Sequence, residues 1–454
     1  MTKNLNFFLF IIIVPFILIK VTTISFLGYG PGVPFGAIHH PDSILLQNDL
    51  YNTIKYWHYS PPLLNFIFGL LLKVFNGDLL LVDKIYFFYN VVISFFITVI
   101  AYYFCLFFGL SKKKTIFILL FVMLNPTIIF YENYSRPVYA HTVAFLFTLI
   151  CFLSFKFFYT KKNIYIFYIY LVSCIMTYVW TLFHPVLLVI ILLSFIFLFK
   201  IKDKFSITMF IIFFIISLLP SIKNKIIFNT FSGGSHMWIQ ISQTLPHHIE
   251  GCLQPLKDII KIERKQPAPN PEKLTNLHAS LKEKPITQIE NHLNLNHIAY
   301  IRNTNLCKNW VIDKLINDPY LYPKKRIKSF IASHSKLGFE FVVGSPEKLK
   351  RMFEYKNKKK TKFLKQIIIL FYMIFVYSYF LYLIFSIKSK KFRNSLLLIF
   401  LFYFYILSVG HLFNGYEQER MLYGGFFIHC LFYIFLGDKN KILIKHENRS
   451  IHNI

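Results

Sequence analysis

Long stretches almost free of charge alternate with short lysine-rich knots along most of this chain, and no other feature constrains its fold as tightly. A helix that crosses a bilayer needs about 20 mostly apolar residues, with roughly 17 as the lower limit. Runs that meet this requirement cover 5–28, 84–109, 115–131, 139–157, 164–180, 184–200, 205–222, 366–387, 394–412 and 421–437. One more apolar run, 61–76, is short, opens on Pro61-Pro62 and contains Lys73, so it is either another span or an interfacial helix. Charged residues make up 16% of the chain, against about a quarter in soluble domains, and the mean hydropathy is +0.50. The expected fold is an all-α polytopic membrane protein of about ten transmembrane helices, interrupted by one long polar block.

Charge in the short loops decides the threading. Cytoplasmic loops carry an excess of Lys and Arg. If 61–76 does not cross and the N-terminus lies inside, four basic loops fall inside. They are Lys112 to Lys114, Lys161-Lys162, Lys200 to Lys204, and Lys388 to Arg393. The tail 438–454 joins them, while loops 132–138, 181–183 and 413–420 fall outside with only Arg136 and Arg420 as cations. A crossing at 61–76 would invert every later loop and break the rule at each one. Three regions follow: a membrane module 1–222 containing a first outer loop at 29–83, an exoplasmic segment 223–365, and C-terminal helices with a cytoplasmic tail at 366–454. The block 223–365 is basic, but long segments translocate with little regard to charge.

The same accounting disposes of the net charge of +29 as a nucleic-acid signal, because much of the lysine sits in short loops facing anionic headgroups. Residues 1–20 have the charged start and apolar run of a signal peptide but lack a small-residue cleavage site, so they read as an uncleaved first span. Lys20 inside it is expected to snorkel to the surface. Cys105, Cys151, Cys174 and Cys430 fall in apolar runs, whereas Cys252 and Cys307 fall in the polar block and would form one disulfide if that block faces an oxidising compartment. Tyr56, Trp57, Tyr59, Tyr178 and Trp180 lie at interface depth and fit aromatic belts.

On this topology the polar residues of the outer ends gather on one side. The first outer loop carries His39-His40-Pro41-Asp42, Asn48-Asp49 and Tyr56-Trp57-His58-Tyr59-Ser60-Pro61-Pro62-Leu63. Later loops add Glu132 to Pro137, His184-Pro185 and Glu417-Gln418-Glu419-Arg420. Charged and histidine side chains are costly near hydrocarbon unless they pair or face a polar cavity, so their convergence suggests a shared one.

Asp42, nineteen positions before Pro61, then His58-Tyr-Ser-Pro-Pro-Leu and an apolar run ending Phe75-Asn76-Gly77, resembles the first outer loop of C-type (GT-C fold) membrane glycosyltransferases. The resemblance is to the branch of protein mannosyltransferases and aminoarabinose transferases. Leu124-Asn125-Pro126 through Tyr131-Glu132 and Arg136-Pro-Val-Tyr139 looks like that family's next outer turn, and Glu419-Arg420-Met-Leu-Tyr looks like its late Glu-Arg-Tyr-Leu segment. The motifs are short, and the family's Asp-Glu pair stands here as Asp42-Ser43, with Met421 in place of a Tyr. The resemblance implies a GT-C-like fold with juxtamembrane helices in the first outer loop. It also implies a polyprenyl-phosphate-linked sugar as donor and an acceptor that is a lipid, a glycan or a protein.

Under that reading Asp42 is the general base of an inverting transfer, with Asp49 in reserve. Arg136 and Arg420 suit the donor phosphate, since guanidinium matches phosphate oxygens in pairs; alternatively each pairs with Glu132 or Glu419 and fixes its loop. Glu132, Glu419, His58 and His184 are further substrate-binding candidates, although an interfacial histidine is often only a helix-end hydrogen-bonder. No metal spacing or cofactor motif stands out, and no nucleic-acid partner is expected. The competing classes are a transporter or flippase of a lipid-linked saccharide, which should show ionisable groups at mid-membrane and repeat symmetry, and a non-catalytic envelope assembly protein. The bacterial inner membrane is the favoured location, with the endoplasmic reticulum membrane as the alternative.

Overall fold

The computed structural model describes residues 9–27, 43–108, 110–125, 128–129, 132, 139–180, 184–201, 203–234, 237–242, 245, 251–252, 281, 296 and 298–320, with scattered positions between 378 and 405. Among the described residues the regular structure is entirely helical. A π-helical turn, Leu9–Ile13, runs into α1 (Val14–Leu27). Three short helices follow: α2 (Ser43–Asn48), α3 (Leu50–Lys55) and α4 (Leu63–Val74). Next come α5 (Leu79–Phe107), α6 (Lys112–Met123), α7 (Ala140–Thr160), α8 (Asn163–Val179), α9 (Val186–Phe199) and α10 (Lys204–Phe228). Two described helices lie in the polar block, α11 (Met237–Ser242) and α12 (Ile298–Asn317).

Among the described residues three helices are long and apolar enough to cross a membrane: α5, α7 from His141 on, and α10. At 1.5 Å per residue the 29 residues of α5 reach about 43 Å. Helices α8 and α9 are apolar but shorter, at 17 and 14 residues. The expected spans 366–387, 394–412 and 421–437 lie largely or wholly outside the described residues.

Ring pairs fix how the helices run. Phe96 meets Phe145 at 6.1 Å, Tyr103 meets Phe152 at 6.0 Å and Phe107 meets Tyr159 at 4.4 Å, so partners advance together and α5 lies parallel to α7. Likewise Tyr170 meets Phe210 at 6.2 Å while the Tyr178 hydroxyl donates to the Ile216 carbonyl, which makes α8 parallel to α10. Parallel neighbours require an intervening element to return the chain, and α6 and α9 occupy those places. The turns are abrupt. Lys161, Lys200 and Asn229 close α7, α9 and α10 in the left-handed region, at φ 55°, 54° and 55°. The two lysines sit where helix C-termini favour positive charge.

Hydroxyls along these helices bond back to carbonyls one turn earlier: Thr148 to Ala144 at 2.7 Å, Ser154 to Ile150 at 2.7 Å, Ser173 to Ile169 at 2.7 Å. In an apolar surrounding this satisfies a polar group without a second helix. The core is aromatic at one end, where Phe104, Phe107 and Phe108 ring Phe155 at 5.2, 5.7 and 5.7 Å. Ile207, Ile211, Ile215, Leu219, Ile222 and Ile226 form an exposed stripe along α10, suited to hydrocarbon.

The run 61–76 does not form a span. Its helix, α4, has 12 residues, about 18 Å against a hydrocarbon core of about 30 Å. It folds back on α2 and α3 around a satellite core of Leu46, Leu50, Phe68, Leu72, Val82 and Tyr86. Gly69 makes the contact close, since a Cβ there would lie 2.2 Å from Leu50 Cδ1. The Gly77 amide closes α4 on the Leu72 carbonyl at 2.8 Å, and Asp78 then caps α5 by accepting from the Leu81 amide at 3.0 Å.

Candidate functional site

The hairpin of α2, α3 and α4 presents residues 56–62 as a short irregular connection. Its aromatic residues are not a lipid-facing belt. Trp57 and Tyr59 are buried, and the Trp57 indole nitrogen donates to Ser60 Oγ at 3.2 Å. Trp180 is buried as well, stacked on Tyr139 at 4.2 Å. Three of the five residues expected at the interface therefore serve the interior, because their rings fill gaps between helix ends.

Among the described residues, two distant groups hydrogen-bond to this connection. Lys223 of α10 donates its ammonium to the Trp57 carbonyl. Asn296, from the polar block, accepts from the His58 amide at 2.8 Å and donates to the Tyr56 carbonyl at 3.1 Å. Its backbone carbonyl sits 2.9 Å from His58 Nε2. A carbonyl only accepts, so Nε2 carries the proton. His58 is 1% exposed and edge-on to Phe228 at 5.2 Å, which is burial at a helix end rather than an open position.

Beside this connection lies a cleft lined by Pro61, Thr177, His184, Ser217, Ser221 and Ser232, with Pro185, Pro220 and Gly233-Gly234 completing its wall. It joins the first outer loop, the turn before α9, the end of α10 and the start of the polar block. Gly233 faces Ser221, whose hydroxyl oxygen lies 3.7 Å from the place a Cβ would take, so the wall has room for one there. His184 stands just outside α9, two residues before its first turn. Hydroxyls and an imidazole bind hydroxyl-rich groups well; among the described residues no carboxylate or ammonium lines the cleft to hold a phosphate.

The strongest polar contact lies deeper. Lys20 does not snorkel: its ammonium is buried and donates to Glu132 Oε2 at 2.6 Å, with side-chain exposures of 6% and 2%. The Asn90 side chain donates to the Glu132 carbonyl at 3.3 Å. His141 Nε2 lies 2.9 Å from Ser94 Oγ and 3.1 Å from the Asn90 carbonyl. This network ties α1, α5, Glu132 and α7 together. It gives Glu132 a partner other than Arg136 and occupies one of its oxygens.

Asp49 caps α3, with Oδ1 accepting from the Asn52 amide at 3.4 Å and both oxygens 3.1 Å from Asn52 Nδ2. Asp42, Arg136, Glu419 and Arg420 lie outside the described residues, as do His39 and His40. The structure thus brings the first outer loop and His184 to one cleft and places Glu132 in the buried network. Sequence reasoning missed Lys20, Asn296 and Lys223. Lys20 carried a signal, being a lysine deep in an apolar run; Asn296 carried none, one asparagine in an Asn-rich stretch. Cys252 and Cys307 are bonded, with Cα atoms 4.8 Å apart. Among the described residues no group of three or more His, Cys, Asp or Glu could hold a metal. Comparison of the chain with family profiles, with curated proteins and with solved structures gave no match in any of the three.

Proposed function

We propose that this chain is a multi-span membrane glycosyltransferase. It moves a sugar from a polyprenyl-phosphate carrier to an acceptor at the exoplasmic face, in a GT-C-like fold of about ten spans. One observation carries the reading: the first outer loop, His184 and the polar block meet at one hydroxyl-lined cleft. Such a lining suits a sugar ring. In this scheme Asp42 takes the proton from the acceptor as it attacks the anomeric carbon, and Arg136 with Arg420 receives the charge of the departing lipid phosphate. Asp49 remains the reserve base, although both its oxygens already accept from Asn52 Nδ2. The Cys252–Cys307 disulfide supports an exoplasmic polar block, since such bonds persist in oxidising compartments.

The test is Asp42→Asn in an assay of sugar loss from a polyprenyl-phosphate donor. Turnover should fall by at least about 100-fold, as loss of a general base does; unchanged turnover removes Asp42 from the role. A reporter fused after Gly77 checks the threading, and a cytoplasmic signal there would overturn it.

One observation favours a second reading. A buried ion pair inside a helical bundle is a common mark of transporters and flippases, and Lys20–Glu132 is such a pair. Vesicles reconstituted with the protein separate the two: a flippase moves a labelled lipid-linked saccharide between leaflets with no acceptor present, and a transferase does not.

A further inference from the structure

Asn296 meets the first outer loop as a strand partner would. Its side-chain amide pairs with one carbonyl and one amide two residues apart, and its own carbonyl takes the imidazole of the second residue. The contacts are Tyr56 O at 3.1 Å, His58 N at 2.8 Å and His58 Nε2 at 2.9 Å. Asn296 is 1% exposed, so these bonds form out of water, where each resists exchange strongly. It lies two residues before α12, and α12 is held from the other side. There Cys307 is bonded to Cys252, Asn303 Nδ2 donates to the Cys252 carbonyl at 2.9 Å, and Gly251 lies so close to Trp310 that a Cβ would sit 2.1 Å from the ring.

We propose that Asn296 is the positioning residue of the first outer loop and that the Cys252–Cys307 disulfide, acting through α12, keeps it there. The geometry of the loop at His58 then depends on the oxidation state of that bond. A dithiol reductant cleaves the Sγ–Sγ bond and passes two electrons and two protons to Cys252 and Cys307, leaving as its own disulfide. The segment 251–252 then loses its covalent hold on α12, and Asn296 withdraws from residues 56 and 58. Lys223 still grips the Trp57 carbonyl, so the loop loosens at His58 without leaving α10. The inference does not rest on the transferase reading and holds whatever chemistry the loop performs.

Amide hydrogen exchange on the full-length protein in lipid nanodiscs tests it without any turnover assay. In the oxidised protein the His58 amide should be protected. Asn296→Ala should raise its exchange about tenfold or more, whereas Asn296→Asp, which retains an oxygen acceptor for that amide, should keep most of the protection. Treatment with dithiothreitol and the double variant Cys252→Ser/Cys307→Ser should each reproduce the Asn296→Ala effect, and combining either with Asn296→Ala should add nothing. Peptides of α8 should exchange as before throughout. The Nε2–H signal of His58 in ¹⁵N-histidine-labelled protein, assigned by its loss in His58→Gln, should shift in the same variants. Unchanged exchange at His58 in Asn296→Ala, or equal exchange in Asn296→Ala and Asn296→Asp, overturns the positioning role. Equal exchange with and without reductant overturns the redox link. Faster exchange in α8 as well makes Asn296 a general stability residue and overturns the proposal.

Discussion

The bundle of α1 with α5 to α10 and the outer assembly of α2 to α4 with α12 are held by different means. In lipid the hydrophobic effect does not drive helix against helix, because acyl chains are as apolar as leucine. The bundle therefore relies on ring packing, as around Phe155, and on the rare buried polar contact, above all Lys20–Glu132. The outer assembly relies on a small satellite core, on caps such as Asp49 and Asp78, on the three Asn296 bonds and on a disulfide. The bundle should thus tolerate apolar replacement and fail when a charge loses its partner. The outer assembly should fail when a close contact or a directional bond is lost.

The most damaging change should be the loss of one member of the ion pair. Lys20→Ala or Glu132→Ala leaves a buried charge alone and should lower stability by about 3–5 kcal/mol. The double variant Lys20→Met/Glu132→Met should recover most of that, as read by thermal unfolding in detergent. If the double is no better than the singles, charge pairing is not what holds α1. Next comes Phe155→Ala, which empties a site touched by three rings and should cost about 3 kcal/mol by the same measurement. In the outer assembly, Gly69→Val should push α4 off Leu50 for about 1–3 kcal/mol, and Leu50→Ala in the same chain should relieve part of it. A Gly69→Val protein as stable as the parent would show that the hairpin gives way freely. The smallest effect has the opposite sign. Lys161→Gly removes a left-handed non-glycine residue but also its contacts with the rings of Phe157 and Phe158, both 5.2 Å from Nζ, so a gain below about 1 kcal/mol is expected.

What the sequence made legible follows the same division. Helices of the bundle could be placed because apolar length is a property of local sequence, and α4 could be denied a crossing because a span there would put every later lysine-rich loop on the wrong side. The partner of Lys20 could not be read, since a lone lysine in an apolar run is compatible with snorkelling until a carboxylate 112 residues away is known to reach it. Trp57, Tyr59 and Trp180 were misjudged for a related reason: hydropathy locates depth in the bilayer but not which way a ring points. Of the candidate site, the loop-charge threading expects His184 and residues 29–83 on one side, and His184 and Pro61 line one cleft. The clamp by Asn296 could not be read, because a hydrogen bond across 238 residues leaves no local trace.

The ion pair also sets a schedule for biosynthesis. Lys20 emerges 112 residues before Glu132, and at about 5–20 residues per second the first helix waits roughly 6–22 s for its counter-charge. During that interval α1 carries an ammonium that hydrocarbon does not welcome, so it must linger beside the insertion machinery or hold its lysine at the surface. Helix α1, made before the rest of this network, is thus among the last of it to be seated. A nascent chain cut short before residue 132 should remain extractable and prone to proteolysis, whereas one that reaches α7 should not.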